Sequence, residues 1–259
     1  MKTSEFEKLT ASLFGEWLTT FKDEGEYGFT YRVEKEIKRI AYATNLTPET
    51  VEKAAKSNAD LLLTHHDAWD FLYGMREVCT AELEKNEITH YFTHSPLDFV
   101  QFGTCTSLFE KIQIDEITSY STCRNDKDYP GIGIFETAVP FAELKERLEK
   151  VLNEPVKAWQ NNDRLVKKVA ILTGAGNNSD FIKYAVEQGC DAFITGERTL
   201  YSVQYANFTG INLYVGSHTF TEVFGVESFA KKVQEAFPET ELILIEEKHT
   251  EANDKCLVG

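Results

Sequence analysis

The chain of 259 residues predicts an α/β fold, with mainly parallel sheets and helices on both faces. Three observations carry this. Short, nearly all-apolar runs recur, as expected of parallel strands buried on both faces. They alternate with longer amphipathic segments along the whole chain, and alternating strand and helix implies a parallel sheet. A hydrophobic share of 42% with 27% charged residues is ordinary for a folded protein, long enough for one large domain or two modest lobes.

Taken in order, Phe6, Leu9, Leu13, Phe14 and Leu18 space out the apolar face of a first helix. The polar stretch KDEGEYGFTY reads as a loop, and 37–43 as a buried strand. Thr47 caps a helix that Pro48 begins and that ends near Ser57 and Asn58. Strand 60–64 runs straight into His65 and His66; strand 87–93 leads into His94-Ser95-Pro96-Leu97-Asp98, and 100–112 reads as helix. The polar, turn-rich segment 125–131 is the expected seam between two pseudo-symmetric lobes, 1–126 and 127–259. Beyond it the spacing predicts strand 132–137, a charged helix from Pro140, strand 169–173, helix 180–188, strand 192–195, helix 199–207, strand 211–215, helix 222–237 and strand 242–245.

Charge narrows the function classes. A net charge of −15 repels phosphate backbones and anionic lipid heads, so no broad nucleic-acid or membrane surface is expected. The start MKTSEFEKLTASLFGEWL lacks the basic, apolar build of a signal peptide, and no run approaches the ~20 apolar residues of a membrane span. Cys79, Cys105, Cys123, Cys190 and Cys256 are scattered with no CxxC, which reads as reduced thiols in the cytoplasm.

In parallel α/β sheets, ligands bind beyond the carboxyl ends of the strands. His65 and His66 follow one such end, His94 and Asp98 another, and His218 a third, with Glu222 one helical turn beyond it. Three imidazoles (His65, His66, His218) and two carboxylates (Asp98, Glu222) suit two borderline cations; zinc, manganese, iron, cobalt and nickel all accept such a set. Two metals about 3.5–4 Å apart share a bridging hydroxide and make it nucleophilic at neutral pH. Each piece has a plainer reading: a lone histidine is most often a hydrogen-bonded structural group, and Asp98 and His94 serve equally as turn residues. His90 and His249 read as surface groups. Residues 174–179 lack the third glycine of a dinucleotide fingerprint and the lysine of a P-loop, so a tight turn is expected, with a lip of the metal pocket as the second reading. Glu197 at another strand end is a candidate pocket acid beside the metals, or a charge partner for the next helix. Arg198 and Tyr201 fit a pocket opening or an exposed helix face. Cys105 lacks a neighbouring base in sequence.

Read as words, LLLTHHDAW, THSPLD, TGAGNNSDFIKYAVEQGCDAFITGE and INLYVGSHTFTEVFGVESFAKKV resemble, in the same order, the motifs of the NIF-three-like family (NGG-interacting factor), whose members are often called GTP cyclohydrolase I type 2 homologues. The resemblance implies a dinuclear metal centre enclosed by two lobes, and a ring-shaped homohexamer. It also implies that His66 and Asp98 hold one metal, His65 and His218 the other, and that Glu222 bridges them. The chain departs from the pattern at Asp67, where the family usually has proline, and at Asn45 in IAYATNLT, where it has an acid. The family's early motif is not recognisable in EWLTTFKDEGEYGF, and the chain is too short for the middle domain that some relatives insert. The expectation is a cytoplasmic, metal-dependent hydrolase of a small, nucleotide-like substrate, with Glu222, His94 and Glu197 in catalytic roles. The alternative is a non-catalytic metal-binding or regulatory protein.

Overall fold

Residue spacing accounts for the first helix. Phe6, Thr10 and Phe14 recur on the buried face of α1 (Thr3–Phe14), and Gly15, at a positive φ of 53° that glycine adopts freely, separates it from α2 (Glu16–Thr20). The computed structural model describes residues 1–250. Its chain divides into two compact units, one formed by 1–103 with 225–247 and the other by 104–224 with the residues from Lys248.

The first unit continues with β1 (Tyr27–Tyr31), β2 (Arg39–Tyr42), α3 (Pro48–Lys56), β3 (Leu61–Thr64), α4 (Met75–Lys85), β4 (Thr89–Thr93) and α5 (Ser95–Phe99). Thr47 caps α3 as expected, accepting from the Thr50 amide at 3.1 Å. The stretch read as a loop contains β1, an edge strand antiparallel to β4. Its Tyr-Gly-Phe-Thr-Tyr pattern is strand-like, but every residue is only half-buried and the polar residues before it masked the signal. The helix expected over 100–112 begins only at 104; residues 100–103 form a turn after α5, tight at Gly103, where a Cβ would lie 1.9 Å from the Leu97 carbonyl oxygen.

In the second unit come α6 (Thr104–Lys111), β5 (Glu116–Ser119), β6 (Thr122–Cys123), β7 (Asp128–Tyr129), β8 (Gly131–Val139), α7 (Phe141–Leu152), β9 (Lys157–Trp159), β10 (Val166–Leu172), α8 (Ser179–Glu187), β11 (Ala192–Thr195), α9 (Leu200–Thr209) and β12 (Asn212–Val215). The expected seam at 125–131 lies inside this unit. It is the β6–β7 hairpin, turned by Asn125 and Asp126 at φ 53° and 55°, the double left-handed turn that Asn and Asp tolerate. The compact units instead divide at 103/104 and within α10 (His218–Ala236), and the chain then returns through β13 (Glu241–Leu244).

The first unit's sheet has the order β1-β4-β3-β2-β13 and is parallel except at β1. Side-chain alternation shows that both faces are covered. Ile40, Tyr42, Leu61 and Leu63 pack with Phe6, Phe14 and Phe229, whereas Ala41, Ala43 and Leu62 pack with Val51, Ala54, Cys79 and Leu83. The second unit's sheet, β5-β8-β10-β11-β12-β9, departs from the mainly parallel expectation. Only β10, β11 and β12 run parallel, and β5, β8 and β9 join antiparallel. Among the described residues no helix is long and apolar enough to cross a membrane. Cys256 lies outside the described residues.

Candidate metal centre

Each unit gathers its titratable side chains at the carboxyl edge of its parallel strands. In the first unit, β3 delivers His65 and His66, and β4 delivers His94 with Asp98 one helical turn later. The rings of His65 and His66 lie 4.6 Å apart by centroid, and His94 stands 4.9 Å and 5.3 Å from them. The three offer ring nitrogens within 4.8 Å of one another. Asp98 places Oδ1 3.5 Å from His65 Nε2.

What orients these rings is the bond at Nδ1. His65 Nδ1 lies 2.9 Å from the Thr93 carbonyl oxygen, which can only accept, so Nδ1 carries the proton and Nε2 the lone pair. His66 Nδ1 meets Asn45 Oδ1 at 2.8 Å. The amide's orientation is set from its other end, where Asn45 Nδ2 donates to Glu247 Oε1 at 2.8 Å. His94 Nδ1 is paired with Glu26, which also accepts from Ser95 Oγ at 2.7 Å. Burial works against the charge of Glu26, but the hydrogen bond and charge of His94, with Ser95, outweigh it and hold the carboxyl at about 2. Trp69 packs edge-on against His94 at 5.4 Å.

His90, read from sequence as a surface group, is fully buried in the middle of β4. Its Nε2 meets Thr64 Oγ1 at 2.8 Å, and burial pushes its pKa down to about 4, against the charge of Asp67. It is a neutral core histidine behind the strand end. Asp67 is buried too. It accepts from Thr30 Oγ1 at 2.8 Å and from Arg76 Nη2 at 2.5 Å.

In the second unit, α10 starts at His218, four residues earlier than expected, which puts His218 and Glu222 on one face with Nε2 and Oε1 3.2 Å apart. Glu197, beyond β11, accepts at 2.7 Å from His218 Nδ1 and at 2.6 Å from Asn177 Nδ2. His218 therefore lies between two carboxylates. Burial disfavours its charge, but Glu222 and Glu197 push it up to about 11. The hydrogen bond from His218, against burial, holds Glu197 below the usual carboxylate range. Gly174 makes room for the pair: at φ +61°, a Cβ there would lie 1.9 Å from Glu222 Oε1 and 2.8 Å from His218 Nε2. The 174–179 segment is the tight turn expected, with Asn177 N donating to Ala175 O at 2.7 Å and Asn178 capping α8. Buried Glu154 accepts from Ser217 N at 2.7 Å and so fixes the residue before His218.

Of the other candidates, Arg198 lies over the Trp159 ring at 5.3 Å, and Tyr201 is exposed on α9. The Cys105 sulfur contacts Thr173 Oγ1 at 3.6 Å, while burial pushes Cys79 up to about 11 and Cys190 up to about 12, so these last two are inert core thiols. Sequence reading missed Glu26, Glu154 and Glu247. Asn177 lay in the 174–179 segment read as a turn or pocket lip, and Asn45 stood out only as a departure from the family pattern.

The donor set fits divalent cations. Imidazole nitrogens and carboxylate oxygens are the ligands that borderline metals take. His218, with Glu197 and Glu222 at its two ring nitrogens, occupies a position where two carboxylates favour positive charge, which a cation can supply in place of a proton. The family model described as Duf34/NIF3 (NGG1p interacting factor 3) matches residues 1–251. The chain belongs to the NIF3 family. A NIF3-family relative named GTP cyclohydrolase 1 type 2 homolog, from Haemophilus influenzae, is 28% identical over 216 residues, covering 81% of this chain and 84% of its own. Another of the same name, from Pyrococcus abyssi, is 26% identical over 229 residues and covers 85% and 89%. Among solved structures, the protein ybgI, described as of unknown function, superposes with a TM-score of 0.83 at 23% identity over 96% of this chain and 99% of its own. Reduced HcgD from Methanocaldococcus jannaschii does so with a TM-score of 0.78 at 24% identity over 95% and 98%. At those identities the structures establish the NIF3 fold alone.

Proposed function

We propose that this NIF3-family chain is a metal-dependent hydrolase of a small molecule, with two divalent cations held by His65, His66, Asp98, His218 and Glu222. The observation that supports it most is the Nδ1 bonding: the Thr93 carbonyl, Asn45, Glu26 and Glu197 take the Nδ1 atoms of His65, His66, His94 and His218. That bond sets the ring orientation and tautomer of metal-ligating histidines and raises the basicity of Nε2. The cations, when bound, supply Lewis acidity and lower the pKa of a water to make a nucleophile at neutral pH.

The remaining work falls to side chains. Following the family resemblance, His66 and Asp98 would hold one cation and His65 and His218 the other, with Glu222 shared between them and its carboxylate offsetting part of their charge. His94, steered by Glu26, and Glu197, steered by Asn177, stand within reach of the ligands of their own units and move protons to and from the reacting atoms. A nucleotide-like substrate follows the name of the curated relatives. In the same reading the protein is cytoplasmic and forms a ring-shaped homohexamer. A net charge of −15 supports the absence of nucleic-acid and membrane partners.

Elemental analysis of protein purified without added metal, coupled to hydrolysis assays on GTP and a panel of phosphoesters and amides, tests the proposal. Two cations per chain and turnover abolished by His65→Ala or His218→Ala are expected. Bound metal with no turnover across the panel leaves the non-catalytic reading, and absence of any metal binding rejects both.

A further inference from the structure

We infer that Glu247 is a positioning residue for His66: by fixing the Asn45 amide, it sets which ring nitrogen of His66 carries the proton. This rests on the reading that His66 is a metal ligand. After β13 the chain keeps alongside β2, with Ile245 N donating to Tyr42 O at 2.9 Å, and this brings Glu247 beneath the end of β2. There its carboxylate accepts from Thr44 N at 2.6 Å, Asn45 N at 3.3 Å and Asn45 Nδ2 at 2.8 Å. Donors from Thr44 and Asn45, backbone and side chain, converge on one half-buried side chain that follows Asn45 by 202 residues.

The consequence is chemical. An asparagine amide has two orientations of similar shape, and only its neighbours choose between them. With an acceptor-only carboxylate at one end, the NH2 group must face Glu247, so Oδ1 faces His66 Nδ1 at 2.8 Å. A carbonyl oxygen accepts, which places the proton on Nδ1 and the lone pair on Nε2. The flipped amide would oppose its oxygen to the Glu247 carboxylate and offer NH2 to Nδ1. Nδ1 would then have to accept, the proton would move to Nε2, and that nitrogen could no longer bind a cation. Glu247 thus acts on the ligand through an uncharged side chain and touches neither the ring nor its metal.

The test uses the full chain, its Glu247→Gln variant and a double variant that combines Glu247→Gln with Asn45→Asp. Glutamine retains an oxygen for the Thr44 amide but can donate to a flipped Asn45, so it removes the bias. In the double variant one oxygen of the carboxylate introduced at position 45 accepts from the amide introduced at position 247. Its other oxygen accepts from His66 Nδ1, which restores the tautomer. Solid-state 15N spectra of histidine-labelled, metal-free protein report the protonated nitrogen, and zinc titration against a competing chelator reports affinity. Expected are Nδ1–H in the wild type, a shift toward Nε2–H with about tenfold weaker zinc binding in Glu247→Gln, and recovery of both in the double variant. A wild-type His66 protonated at Nε2, or a Glu247→Gln protein with unchanged tautomer and affinity, overturns the inference. So does a folded double variant that recovers neither. Should the wild type bind no zinc or other divalent ion, the functional reading fails, while the tautomer measurement still decides this one.

Discussion

Glu26 shows how one side chain couples acid stability to the site. Its folded pKa of about 2 lies below the ordinary 4.5, so its contribution is complete above pH 4.5 and is lost as pH falls toward 2. Discounted for partial exposure, that contribution is roughly 1–2 kcal/mol. Glu26→Gln should therefore be less stable than wild type at neutral pH, with the two denaturation curves converging below about pH 3. Equal stabilities at pH 7 would show that the His94 pairing contributes nothing. Gly174 makes the complementary point about space. Gly174→Ala puts a methyl group into the position of Glu222 Oε1 at a left-handed φ of +61°. The strain alone costs about 1–3 kcal/mol, and metal affinity should fall by about tenfold or more because Glu222 and His218 must move. Calorimetric titration of this variant with wild-type affinity would mean that the pair does not bind the cation.

Between β3 and α4, the chain from Asp67 to Gly74 is held chiefly by a buried carboxylate. Asp67 is 3% exposed and pairs with Arg76, which also reaches Asp70 at 3.0 Å. Arg76→Ala leaves the Asp67 charge buried with Thr30 as its remaining side-chain donor, at a cost of about 1–3 kcal/mol given that Arg76 is itself 40% exposed. Hydrogen exchange should rise across 67–75, around Trp69, and unchanged exchange there would assign the order of this segment to packing instead. Asp67 stood out in the sequence only as a residue in an unexpected place. The strands that end at His65, His94 and His218 were legible because apolar runs and their boundaries are local signals. So was the α3 cap. β1 was not, since an edge strand is half-solvated and its pairing partner β4 begins about sixty residues later. Nor was the turn at Gly103, which depends on how closely the Leu97 carbonyl approaches. Candidate ligands could be read from residue type and strand-end position. Glu26 and Glu247 could not, because a carboxylate in a polar stretch is indistinguishable from surface charge until the fold supplies its donors.

The first unit is discontinuous: β13 pairs with β2 across some two hundred residues, and Val226, Phe229, Ala230 and Val233 of α10 complete its core. Chain synthesis must therefore pass residue 225 before that unit can close, and such non-local pairing slows folding. Metal linkage adds a second long-range dependence, and it can be measured without any assay of activity. A cation at one hundred times its dissociation constant stabilises the folded state by about 2.7 kcal/mol, which for a protein of this length is a rise in melting temperature of roughly 5–11 °C. The size of that gain in variants discriminates a shared pair of cations from separate ones. His65 belongs to the first unit and His218 to the second. If all five ligands serve one coupled pair, His65→Ala and His218→Ala should each remove most of the metal-dependent shift and lower the stoichiometry. If each unit binds its own cation independently, each variant should keep about half the shift, and the double variant should lose the sum. His218→Ala also leaves Glu197 and Glu222 without the charge between them, so the metal-free melting temperature will fall as well. The comparison must therefore be made on the difference between chelator-treated and zinc-loaded samples of the same variant. Additive losses would refute the coupled pair, and a near-complete loss from either single change would support it.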